Sequence, residues 1–152
     1  MPYNSTFHGT GDDDTTMKPT VQMFQLKIPS SRKNIHLVEE FFRSTNTVYR
    51  LPEEKLHALL VSVTEAVNNG IIHGNKNDDS KHVTLSTWMK GKVLTIKVKD
   101  EGKGFSPEKV ANPLQEENLL NTGGRGVFLM KAFMHSVKYN KKGNEVTLIM
   151  KL

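Results

Sequence analysis

Cysteine is absent from the chain, which excludes disulfides, thiolate zinc sites and cysteine nucleophiles together. Aromatic residues are scarce at 7%, with a single tryptophan, so no stacking platform for nucleobases accompanies the basic residues. No apolar run approaches the ~20 residues that a bilayer span requires. The stretch MPYNSTFHGTGDDDTTMKPT at the start lacks the basic opening and apolar centre of a signal peptide. These absences lead to the expectation of a soluble, cytoplasmic protein that keeps off the membrane.

What is present fits one domain. A chain of 152 residues with 36% hydrophobic and 24% charged residues can bury one sizeable core. The formal net charge of +5 invites a nucleic-acid reading. However, Lys76, Lys81, Lys90, Lys92, Lys97, Lys99 and Lys103 are interrupted by Asp78, Asp79, Asp100 and Glu101. A solvated basic surface facing an acidic protein or a nucleotide is the expectation, with no direct nucleic-acid partner.

Residues 1–20 are polar and without periodicity, which predicts a flexible tail before a single domain over 21–152. VQMFQLKI alternates as a strand does. SRKNIHLVEEFFRST opens on Ser31 as a helix N-cap and spaces Ile35, Val38, Phe41 and Phe42 helically. The longest periodic segment, LPEEKLHALLVSVTEAVNNGIIHGN, places Leu56, Leu59, Leu60, Val63, Val67 and Ile71 on one stripe, with Gly74-Asn75 as its stop. HVTLSTWM and KVLTIKVKD read as a hairpin turning at Lys90-Gly91-Lys92. A polar loop with prolines at 107 and 113 carries a short helix at most. GVFLMKAFMHSV reads as a helix, and KYNKKGNEVTLIMKL as a hairpin turning at Lys142-Gly143-Asn144. This order predicts an α+β two-layer sandwich, its sheet mixed but mostly antiparallel, with helices on one face.

Three stretches carry chemistry. In EAVNNGIIHGN, Glu65, Asn69 and His73 recur every fourth residue, nearly opposite the apolar stripe, which predicts that they face a cleft. There a carboxylate can take a proton from a nucleophile, and an amide oxygen can ligate a hard cation such as magnesium; a solvated helix face would carry the same spacing. DEGKGF ends a strand with Asp100 and sets Gly102 and Gly104 one residue apart, suited to positive φ or to close approach of a ligand; a simple turn would use the same residues. TGGRGVFLMKAFM puts Gly123, Gly124 and Gly126 just before an apolar helix, where main-chain N–H groups can receive phosphate. No G-x-x-x-x-G-K-[ST] loop occurs, which excludes a P-loop protein.

In this order the three stretches resemble the N, G1 and G2 boxes of the Bergerat-fold (GHKL) ATPases, the family of gyrase, the heat-shock chaperone, histidine kinases and mismatch-repair ATPases. The resemblance spans roughly Phe24 to Leu152. IPSSRKNIHLVEEFF, VTEAVNNGIIHGN and GGRGVFLMKAFM resemble in particular the free-standing bacterial anti-sigma-factor serine/threonine kinases. The resemblance implies an ATP and magnesium site in which Asn69 ligates the metal, Glu65 activates the attacking hydroxyl and Asp100 receives the adenine amine. Gly102 and Gly104 would let the base lie against the main chain, and Gly124, Arg125 and Gly126 would close on the phosphates. His73 serves packing or catalysis, and Lys103 and Arg125 either contact phosphate or are solvated loop charges. Ser106 to Thr122 matches the ATP lid in place but not in residues, so no ligand contacts are assigned there. The implied activity is phosphorylation of a small antagonist protein, with a sigma factor and a second copy of the chain as further partners. An ATP-dependent sequestering module and a plain ATPase are the alternatives.

Overall fold

A computed structural model of the chain describes residues 4–6, 21–104 and 122–152, the side chains of 4–6 and 122–124 excepted. Alternating burial makes the strands. In β2 (Met23–Pro29), Phe24, Leu26 and Ile28 are buried while Met23, Gln25 and Lys27 are exposed, since successive residues of an extended chain face opposite ways. β3 (His82–Lys90) buries Val83, Leu85 and Thr87, and β4 (Val93–Lys99) buries Leu94, Ile96 and Val98. β6 (Glu145–Lys151) does the same with Val146, Leu148 and Met150. With β1 (Asn4–Thr6) and β5 (Ser136–Tyr139) they form a six-stranded sheet in the order β1-β2-β3-β4-β6-β5. Every pairing among the described residues is antiparallel, so the expected mixed sheet shows no parallel pair there.

One face of this sheet is covered by three helices, giving the expected two-layer α+β sandwich. α1 (His36–Tyr49) contributes Val38, Phe41 and Phe42, the two rings meeting edge to face at 5.1 Å. α2 (Glu53–Asn69) contributes Leu56, Leu59, Val63 and Val67, and α3 (Thr122–Phe133) contributes Val127 and Met130. Each such side chain stabilises the fold by roughly 1.5–3 kcal/mol through burial. Of the expected α2 stripe only Leu60 is partly exposed. The polar Thr87 is tolerated inside because Tyr49 Oη donates a hydrogen bond to its Oγ1, at 3.3 Å. The other face of the sheet presents Lys27, Lys97, Lys99 and Lys138, together with Trp88.

Several boundaries differ from the sequence expectation. Ser31 has the extended backbone of an N-cap but makes no side-chain cap, and it precedes a 3-10 turn, Arg32–Asn34, before α1 begins. α1 ends on Arg50 at φ 55, without the usual glycine. Asn46 closes that corner, its Oδ1 accepting Leu51 N–H and its Nδ2 donating to Leu51 O. Within the expected tail, Asn4–Thr6 pair with Met23–Gln25 as a short edge strand; the remainder of 1–20 lies outside the described residues. So does the expected lid, apart from Thr122. The final helix starts at Thr122 and stops at Phe133, because Ser136 already pairs with Ile149 in the sheet.

Candidate nucleotide and phosphoryl-transfer site

The C-terminal end of α2 carries Glu65 and Asn69, both half-buried. Among the described residues neither side chain has a hydrogen-bond or ion-pair partner. Past Asn69 the α-helix gives way to a π turn, Gly70–Gly74, closed by Asn75 N–H donating to Gly70 O at 2.8 Å. A π turn holds more residues per turn than an α-helix. His73, within that turn, is exposed, whereas Glu65 and Asn69 are half-buried.

The turn is wide because it is pressed against the sheet. A Cβ on Gly70 would lie 3.2 Å from Val83 Cγ2 and 3.5 Å from Asp100 Cβ, and one on Gly74 would lie 2.3 Å from Asp100 Cγ. Asp100 follows the last residue of β4, and its Oδ1 accepts Gly102 N–H at 2.8 Å. Burial raises its pKa above the usual carboxylate value; the Gly102 N–H and the charges of Lys142 and Lys81 oppose that rise without cancelling it. Gly102 is required by close approach, since a Cβ there would sit 2.2 Å from Gly74 O. Gly104 is required twice: its φ is +78, and a Cβ would fall 1.8 Å from Lys142 O. In this structure the close approach that both glycines permit is between segments of the chain itself. Lys103, between them, is exposed.

The glycines of the third stretch lie inside the first turns of α3 rather than before it. Glycine there costs about 1 kcal/mol per residue relative to alanine, and packing explains it at Gly126. That buried residue sits on α2, where a Cβ would come 2.8 Å from Glu65 Oε2 and 3.3 Å from Asn69 Nδ2. The first N–H groups of α3, which include that of Gly124, still lack helical acceptors, as at any helix start. They therefore open the positive end of the helix dipole close to Glu65 and Asn69. Arg125, next to Gly126, is exposed.

Two asparagine clusters were not legible as site residues. Asn75 is fully buried: Nδ2 donates to Ser30 Oγ at 2.6 Å and to His82 O at 2.9 Å, while Oδ1 accepts Glu101 N–H at 2.7 Å. Asn140 Oδ1 accepts the N–H groups of Gly143, Asn144 and Glu145, and Asn144 O accepts Asp100 N–H at 2.9 Å. In sequence Asn75 is only a stop signal and Asn140-to-Asn144 only a turn; their second use depends on contacts across the fold.

The arrangement offers, at one end, a half-buried carboxylate able to accept an amine N–H. At the other end it offers a carboxylate and an amide without partners among the described residues, beneath a helix start that favours anions. Such a set suits an elongated ligand with a base and phosphates, and its oxygen donors suit a hard cation.

A profile of the histidine kinase-like ATPase domain matches residues 28–150. The chain is 37% identical over 101 residues to the anti-sigma F factor of Clostridium acetobutylicum, covering 64% of this chain and 70% of that one. It is 35% identical over 98 residues to the anti-sigma F factor of Anoxybacillus flavithermus, covering 63% and 67%. Over 133 residues, 84% of each chain, it is 23% identical to the serine-protein kinase RsbW of Oceanobacillus iheyensis.

Proposed function

The chain belongs to the histidine kinase-like ATPase domain family, and from that premise we propose that it is an ATP-dependent protein serine/threonine kinase of the anti-sigma-factor type. The observation that carries the reading is the pairing of Glu65 and Asn69, half-buried and unpartnered among the described residues, under the start of α3. A pair of polar groups left so, where no buried side-chain nitrogen or oxygen among the described residues lacks a partner, is poised for a ligand.

The protein hydroxyl attacks the γ-phosphorus of ATP. Glu65 takes its proton, the bond to the bridging oxygen breaks, and ADP leaves with the electron pair. Asn69 would hold magnesium, which when bound neutralises charge on the triphosphate. Asp100 accepts a hydrogen bond from the 6-amino group of adenine. The free N–H groups at the start of α3, including that of Gly124, receive the phosphates, and Arg125 and Gly126 in the following turn close that end of the helix on them. The side chains of Lys103 and Arg125, exposed at the rim, neutralise phosphate charge. Gly102 and Gly104 keep the floor beneath the base thin. Phosphoryl transfer depends chiefly on positioning and charge, and α2 supplies a stiff mount for both Glu65 and Asn69.

The substrate is a small antagonist protein, and the kinase also binds a sigma factor, acts in the cytoplasm and works as a homodimer. Among the described residues no helix is long and apolar enough to cross a membrane. Incubation with candidate antagonists and γ-labelled ATP should label a serine or threonine. Glu65→Ala should lower transfer by roughly 10²–10⁴-fold and leave ATP binding intact. No labelling of any antagonist would overturn the kinase reading; undiminished control of the partner by Glu65→Ala would favour the sequestering module, and phosphate release without labelling the plain ATPase. A single-chain mass by light scattering at micromolar concentration would remove the homodimer.

A further inference from the structure

We infer that Asn75 is the positioning residue for the Asp100 carboxylate, and that it sets how strongly the site separates a 6-aminopurine from a purine lacking the amine. The inference rests on the nucleotide reading of the site.

Asp100 stands outside the sheet ladder, since β4 ends at Lys99, so strand pairing alone does not fix it. It is held from two sides. On one, its N–H donates to Asn144 O at 2.9 Å. On the other, the next residue, Glu101, donates its N–H to Asn75 Oδ1 at 2.7 Å. Asn75 is itself immobilised by Ser30 Oγ, His82 O and its own main-chain bond to Gly70 O. One fully buried side chain therefore ties together the end of β2, the start of β3, the exit of β4 and the π turn that follows Asn69.

The residue before it, Gly74, forms the wall against which the Asp100 carboxylate rests. A shift of Asn75 would thus move both the wall and the backbone that carries the carboxylate. With Oδ1 engaged by Gly102 N–H, the placement of Oδ2 governs its hydrogen bond to an amine, whose strength falls steeply with misalignment. Only an amide of this length meets the local demand for two donors and an acceptor. Aspartate at this position keeps the shape and the acceptor but turns an oxygen toward His82 O.

The test measures binding of ATP and of purine riboside triphosphate, which lacks the 6-amino group, to the wild type, Asn75→Asp and Ser30→Ala. The wild type should prefer ATP by about tenfold or more, the range of a hydrogen bond to a charged acceptor. In Asn75→Asp the preference should collapse toward equality through weaker ATP binding, with the analogue changed by less than about threefold. Ser30→Ala, which removes one anchor of Asn75 and is far milder for folding, should narrow the preference partway. A folded Asn75→Asp, or Ser30→Ala if the former does not fold, that keeps the wild-type preference while melting at a lower temperature would overturn the inference and leave Asn75 a stability residue. A wild type that binds both nucleotides equally would overturn the assignment of Asp100 to the amine, and the inference with it.

Discussion

At Asp100 the needs of folding and of binding oppose each other. Burial disfavours its charge, yet an ionised oxygen is the stronger acceptor for an amine. Because its folded pKa lies above the ordinary 3.8, ionisation costs stability. That cost is absent at pH below the unfolded value and complete once pH has passed the raised folded value. Asp100→Asn should therefore gain stability over the wild type progressively through that window and hold a constant gain above it, as denaturant titrations at stepped pH would record. The same variant should bind ATP about 10–100-fold more weakly by calorimetry, since it presents a neutral amide in place of a charged acceptor. Gly126→Ala separates the two needs differently. Its new methyl would meet the flexible end of Glu65 at 2.8 Å, while alanine improves helix propensity by about 1 kcal/mol. The melting temperature should hold or rise while phosphoryl transfer falls at least tenfold, a displaced base being enough to lose that much. The residue types of this candidate site were legible in the sequence; the reason for its glycines was not, because Gly74, Gly102 and Gly126 answer to partners 26, 28 and 61 positions away (74 to 100, 102 to 74, 126 to 65).

Among the elements, the strands were the most legible, since period-2 burial in β2, β3, β4 and β6 follows directly from alternating side chains. Helix ends were less so. The chain leaves α1 through Arg50 in the left-handed region at φ 55, a conformation that a residue with a Cβ enters at a cost of roughly 1–2 kcal/mol. Arg50→Gly should therefore raise the unfolding free energy by about 1 kcal/mol in urea titrations, provided the Asn46 clamp on Leu51 is kept. The π turn after α2 had no sequence signature beyond Gly70 and Gly74, since its width comes from contact with Val83 and Asp100. The early start of α3 has no local signal for the same reason: three glycines argue locally against helix, and packing on α2 overrides them.

For the molecule as a whole, titration of buried phenols sets the alkaline limit. Tyr49 and Tyr139 are pushed up to about 12, both by burial, with the Thr87 hydrogen bond partly opposing this at Tyr49. A neutral phenol in the fold contributes stability that is fully present below the unfolded value near 10 and is lost as pH rises through about 12. Denaturant midpoints measured from pH 8 upward should stay level and then fall steeply beyond about pH 10, with a shallower fall in Tyr139→Phe.

The sequence by itself determined the two-layer α+β class and the family resemblance, and it singled out Glu65, Asn69 and Asp100 as candidates, because periodicity and motif spacing are local properties of the chain. The tertiary structure alone decided how these residues meet. It seated Gly126 on Glu65 and Asn69, ended the helix in a π turn packed against Val83 and Asp100, and clamped Asp100 between Asn75 and Asn144. Each of these joins residues far apart in sequence, where steric contact and the need to pair buried polar groups outweigh local propensity.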